Sequence, residues 1–124
     1  MSDSAIEQEI QDKGLTAPRV TPADLRANIR AEIYFTGDQA AAVSQNLKSE
    51  YSEGDHVLAP LALLTFCVLV LRNGFTVTGE SACASPENFD AEVGRKIARA
   101  NAEQKIWPLM GYALKQRLAD QAAQ

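Results

Sequence analysis

The residues best equipped for chemistry crowd into one stretch, GESACASPENFD at positions 79–90. Three carboxylates, Glu80, Glu87 and Asp90, stand there with Cys83 and the hydrogen-bonding side chains of Ser81, Ser85 and Asn88. Neighbouring carboxylates can exchange protons or hold magnesium through oxygen. A cysteine just ahead of a helix start has its thiolate stabilised. The free backbone donors of a helix start also receive anions, and Arg95, Lys96 and Arg99 follow closely enough to add positive charge. Each feature has a plainer role as well. Glu87 and Asp90 suit the first turn of a helix, where acids offset the dipole. Cys83, between two alanines, fits loop packing, and the three cations fit a solvated helix face. Glu80 falls opposite Cys67 in the expected hairpin, within reach of Arg95 or Lys96.

A catalytic set is not legible. His56 is the single histidine, placed in a charged stretch, and its spacing brings it near neither Cys67 nor Cys83. The two cysteines form no CxxC pair, and one histidine with two separated cysteines matches no zinc motif. The glycines follow neither a Walker nor a dinucleotide-binding pattern. The expectation is therefore a non-enzymatic protein with no metal and no cofactor. Trp107, Pro108 and Tyr112 gather aromatic surface near the carboxy terminus, either as core or as an anchor for a protein partner.

Something must position these groups, and 124 residues suit one domain. The hydrophobic fraction of 46% supplies a core, and the net charge of -4 offers no general attraction to nucleic acid or to an acidic membrane. The apolar run VLAPLALLTFCVLVL, residues 57–71, contains Pro60 and is followed by Arg72. It falls short of the roughly 20 residues a membrane helix needs, and it reads as a buried strand. The opening MSDSAIEQEI lacks the basic and apolar regions of a secretion signal, so free thiols in a cytoplasm are expected.

The pattern along the chain predicts an α+β fold in a single domain. Residues 1–20 read as a short helix, with Ile6 and Ile10 one turn apart, and an extended linker through Pro18. TPADLRANIRAEIYF, residues 21–35, predicts a helix capped by Thr21, with Leu25, Ile29 and Ile33 as its buried stripe. TGD at 36–38 interrupts it, QAAAVSQNL resumes it, and residues 48–56 read as a solvent loop. Leu63–Leu71 and FTVTGES form a hairpin about Asn73-Gly74. A two-residue turn there sets Val70 opposite Val77 and Val68 opposite Gly79. The first strand is then apolar on both faces and must be covered twice, by helices or by another copy, with Leu69 and Leu71 as the contacts of a homo-oligomer. A long helical segment follows, started by Ser85 or by Asp90. Val93, Ile97, Ala100 and Trp107 line its inner side, Ala98, Ala102, Ile106 and Leu109 broaden it, and Pro108 kinks it. The domain runs over 21–120, and 121–124 is a frayed tail.

The strings ACASPENFD, GRKIA and KIWPLMGY, with KGLTAPRVTP and IRAEIYFT upstream, resemble the phage gene-product-49 and gene-product-66 family of small tailed-phage proteins. The resemblance implies a phage or prophage accessory protein with no active site to carry over. By analogy such a protein binds a host protein in the host cytoplasm. The alternative is a binder of a small anionic ligand, a nucleotide or another phosphate-containing signal. The candidate surface comprises Glu80, Ser81, Cys83, Ser85, Asn88, Asp90, Arg95 and Arg99, joined by Trp107 and Tyr112.

Overall fold

In the computed structural model, residues 2–44 and 55–124 are described. Helix α1 (Asp3–Asp12) starts at Ser2, whose hydroxyl accepts from the Ala5 amide. Helix α2 (Pro22–Ala27) has the expected start: the Thr21 hydroxyl accepts from the Asp24 amide, and the Asp24 carboxylate accepts from the Thr21 amide. The helix expected over 21–35 nevertheless stops at Ala27, and Ile29–Thr36 is strand β1. A spacing of four between Ile29 and Ile33 satisfies a helical turn and an alternating strand equally well. Ile33, Tyr34 and Phe35 are β-branched or aromatic, and a pleated surface accepts them better than a helix does.

Helix α3 (Gly37–Val43) follows directly. Helix α4 (Asp55–Leu61) takes the front of the run expected to be all strand, with Pro60 inside it. His56, expected in a loop, is therefore an exposed helical residue. The rest of that expected loop, and the end of the resumed helix, lie outside the described residues.

Strands β2 (Leu64–Leu71) and β3 (Thr76–Ala82) complete an antiparallel sheet in the order β1-β2-β3. The hairpin exists as expected, but its register is one residue away. Leu69 faces Val77 and Cys67 faces Gly79. The Leu71 amide donates to the Phe75 carbonyl at 2.8 Å and the Gly74 amide to the Leu71 carbonyl at 2.9 Å, so the loop is Arg72-Asn73-Gly74. Gly74 sits at φ 90°, the left-handed position that closes a three-residue loop. A slip of one residue exchanges the faces of the paired strand. Thr65, Cys67, Leu69 and Leu71 thus share a face with Val77 and Gly79, while Phe66, Val68 and Val70 share the other with Thr76, Thr78 and Glu80.

Helix α5 (Ala91–Gln104) lies across the first of these faces. Its buried line is Gly94, Ala98 and Ala102, one small residue per turn. Val93 and Ile97, expected inside, are 51% and 46% exposed. Small residues win because the helix meets the sheet backbone to backbone. A Cβ on Gly79 would lie 2.2 Å from the Ala98 carbonyl oxygen and 2.3 Å from the Ala102 nitrogen. One on Gly94 would lie 2.9 Å from the Thr65 hydroxyl. Leu25, Cys67, Leu69, Leu71, Val77 and Ile106 close the core around this seam.

Leu69 and Leu71, at 0% and 3% exposure, are core residues and cannot carry the contact between copies expected of them. The cover is α5 of the same chain. The other face, with Ile33 at 51% exposure beside half-buried Phe66, Val68 and Val70, bears the apolar surface instead. Helix α5 ends at Gln104, and α6 (Ile106–Ala122) begins after Lys105. Pro108, at the third position of α6, has no N–H for the carbonyl of residue 104, which explains the break just upstream.

Among the described residues, two ion pairs tie segments distant in sequence. Arg99 of α5 bonds Glu32 of β1 and, through Nε at 2.7 Å, Glu103 one turn on. Arg19 in the linker grips Glu7 of α1 with two hydrogen bonds of 2.5 and 2.7 Å.

Candidate recognition site at the β3–α5 joint

The chain leaves β3 with the Cys83 amide still donating to the Leu63 carbonyl at 3.0 Å. It turns through a single 3-10 turn, Pro86–Asn88, with Ser85 just before it. Of the two candidate caps, Ser85 precedes this turn without a side-chain cap bond, and Asp90 caps the long helix by accepting from the Val93 amide at 3.0 Å. The Cys83 thiol donates to the Ser85 carbonyl at 3.2 Å. Together these bonds fold residues 83–90 over the start of α5 and enclose a hollow of about 190 Å³. Cys83, Asn88, Phe89, Val93 and Ile97 line it.

Beside the hollow runs an open strand edge. The hydrogen-bonded pairs at Leu71/Phe75 and Leu63/Cys83 fix the alternation along the hairpin. The backbone groups of Thr76, Thr78, Glu80 and Ala82 must therefore point away from β2. One of them is covered: the Glu80 carbonyl accepts from the Asn101 side chain at 2.8 Å. Natural edges are commonly blunted by proline, lysine or a bulge. Between Thr76 and Ala82, β3 has none of these, and Glu80 is its one charged residue.

The expected surface therefore divides. Ser81, Cys83, Asn88 and Asp90 meet at the hollow. Ser85 is half-buried at its margin. Glu80 shares the outer face with Phe66, its cross-strand partner, rather than the one that carries Cys67. Arg95 is exposed and lines an adjoining hollow with Phe89, Tyr34 and Asp38. Lys96, a proposed partner for Glu80, pairs with Glu92 at 3.4 Å. Arg99 is drawn away by Glu32 and Glu103. Trp107 and Tyr112 belong to α6, beyond the far end of α5. With 14 residues in α5, they stand about 20 Å along the helix from the joint. Trp107 packs against the core and faces Ile6 and Ile10 of α1, whereas Tyr112 is 74% exposed.

Among the described residues, no three histidine, cysteine or acidic side chains gather as metal ligands. The acid at Asp90 is engaged as a cap, which accounts for its place in the chain. Burial raises the Cys67 thiol above the ordinary thiol range, although a hydrogen bond from Tyr34 works against the shift. The features missed in the sequence are the outward turn of Val93 and Ile97 and the bare edge of β3. The series Gly94, Ala98, Ala102 was a usable signal for the first. A glycine at 79 opposite small residues at every helical turn implies close contact there, and that contact turns positions 93 and 97 aside.

No helix among the described residues is long and apolar enough to cross a membrane. No curated protein and no solved structure matches the chain. A family model does match, over residues 20–118, which takes in everything from α2 through most of α6 and includes the whole joint. The chain belongs to the Phage protein (N4 Gp49/phage Sf6 gene 66) family.

Proposed function

We propose that the protein is a non-enzymatic phage accessory protein that binds a host protein in the host cytoplasm. Its docking surface is the joint together with the free edge of β3. The observation that supports this most directly is a pairing of features. A largely open strand edge runs into a hollow flanked by two exposed aliphatic side chains of α5, Val93 and Ile97. An extended segment of a partner could pair with the outward backbone groups of Thr76 and Thr78 and seat an apolar side chain between Val93 and Cys83. In this mode of recognition the backbone supplies affinity and the side-chain hollow supplies selectivity.

The same hollow argues against a nucleotide at the joint. Its volume of about 190 Å³ lies below the roughly 300 Å³ at which small-molecule sites begin. A hollow of this size suits an aliphatic side chain.

The test is capture from host lysate, followed by variants measured against the captured protein itself. Val93→Glu and Ile97→Glu each change an exposed position and should leave the circular dichroism spectrum unchanged. Either should weaken binding at least about tenfold, the effect of losing one buried anchor. Ile33→Glu, on the outer face of β1, should leave binding intact. Loss through Ile33 with no effect of Val93 or Ile97 would move the surface to the outer face.

A further inference from the structure

A second hollow, of about 490 Å³, opens between α2 and α6, well away from the joint. Its walls come from the linker, α2, the hairpin loop and α6, and they bring together Arg19, Arg72 and Arg117. The chain carries 12 lysines and arginines against 16 acids, so three arginines about one cavity run against its overall charge. The single carboxylate in the lining, Asp24, accepts from the Thr21 amide at 3.0 Å and keeps its charge, which offsets part of the positive charge of the arginines. Arg19 is neutralised by Glu7. The other two arginines are not balanced in this way.

Arg72 is anchored: its Nε donates to the Ala27 carbonyl at 2.9 Å. That bond fixes the guanidinium at the rim and leaves both terminal nitrogens without a partner among the described residues. The side chain of Arg117, from α6, has no hydrogen bond or ion pair among the described residues. Met110 and Leu114 lie on the same side of α6 and give the cavity an apolar wall. The arrangement combines two guanidinium forks with unused donors and a greasy surface large enough for a ring.

We propose that this hollow binds a small organic phosphate. The phosphate would sit between Arg72 and Arg117, and the apolar part would lie on Met110 and Leu114. Two forks approaching from different elements can divide three phosphate oxygens between them, whereas a carboxylate is satisfied by one.

The test uses phenyl phosphate as the minimal probe, with benzoate and phenol as its carboxylate and uncharged counterparts, followed by amide chemical shifts of the full chain. Phenyl phosphate should bind saturably, with shifts centred on Arg72, Met110, Leu114 and Arg117. Benzoate should bind about tenfold more weakly and phenol not measurably. Arg72→Gln also removes the tie to Ala27, so Arg117→Gln, at an exposed site on α6, is the decisive variant. It should weaken phenyl phosphate about tenfold while Arg95→Gln leaves it unchanged. Absence of saturation at about 10 mM, equal affinity for benzoate, or an unchanged dissociation constant in Arg117→Gln would each overturn the assignment. None of these results bears on Val93 or Ile97, so the docking surface at the joint stands or falls separately.

Discussion

The two faces of β2 are written in the same alphabet and have opposite fates. One carries Thr65, Cys67, Leu69 and Leu71, all buried beneath α5. The other carries Phe66, Val68 and Val70, all half-buried, beside an exposed Ile33. Hydrophobicity does not separate the two rows. What separates them is the neighbour: Gly79 stands in the row that admits a helix, and Thr78 and Glu80 stand in the row that does not. Burial here follows from where a backbone can approach.

The sharpest way to break that distinction is Gly79→Ala. The new methyl would meet main-chain atoms of Ala98 and Ala102, which cannot rotate out of the way. Destabilisation of about 3 kcal/mol, the upper end of ordinary overpacking, is expected in urea unfolding. A loss below about 1 kcal/mol would mean that α5 can ride higher on the sheet without consequence. Comparable in size is Leu69→Ala, which opens a cavity in the closed face and should cost about 3 kcal/mol. Val68→Ala, one residue along on the open face, should cost about 1 kcal/mol or less, because a half-buried side chain loses less contact. Equal costs would erase the difference between the faces.

Reactivity offers a gentler probe. Cys67 is fully buried, and burial holds its thiol in the protonated form. Cys83 is half-buried at the joint. A thiol reagent should label Cys83 in the native protein and Cys67 only on unfolding, as mass spectrometry of digested samples would show.

The smallest expected effect concerns α1. The Arg19 hydrogen bonds, aided by Gln11, bring the Glu7 carboxyl down to about 2 from its ordinary 4.5. A depressed carboxyl contributes its stabilisation in full above the unfolded value and loses it as pH falls through the folded one. The grip on α1 should therefore hold above about 4.5 and weaken towards 2. Trp107 faces α1 across a shallow hollow, so its fluorescence reports the release. Glu7→Gln should remove that acid transition; a transition that survives the substitution belongs to another group.

How much could be read in advance differed by element. The start of α2 was legible because a capping side chain and its partner lie within four residues of each other, whereas that of α5 was narrowed only to Ser85 or Asp90, of which Asp90 is the cap. Strand β2 was legible from a run rich in Val, Leu and Phe, though the front of the apolar run is helix α4, and the hairpin was legible from Asn73-Gly74. Strand β1 was not, because Leu25, Ile29 and Ile33 fit a helical stripe as well as they fit a strand. The register of β3 turned on whether two or three residues close the loop, a choice that Asn-Gly permits either way. The inner line of α5 was legible in part: Ala98 and Ala102 belong to the expected stripe, whereas Gly94 does not, and Val93 and Ile97 turn outward because contact between backbones selects the smallest residues. The cluster at residues 79–90 was legible as a place. Its separation from Trp107 and Tyr112 depended on the length of α5 and on the break at Lys105.

The three-residue loop has one more effect. Closed over Asn73 and Gly74 alone, the same chain would set Val77 opposite Val70, and β3 would offer Thr78 or Glu80 where Gly79 now lies beneath the helix. Such a hairpin has no gap to receive Ala98 and Ala102. Docking of α5 thus proofreads the turn: a misregistered ribbon is rejected by the helix that follows it, and the fold of residues 72–74 is ratified some twenty-five positions downstream.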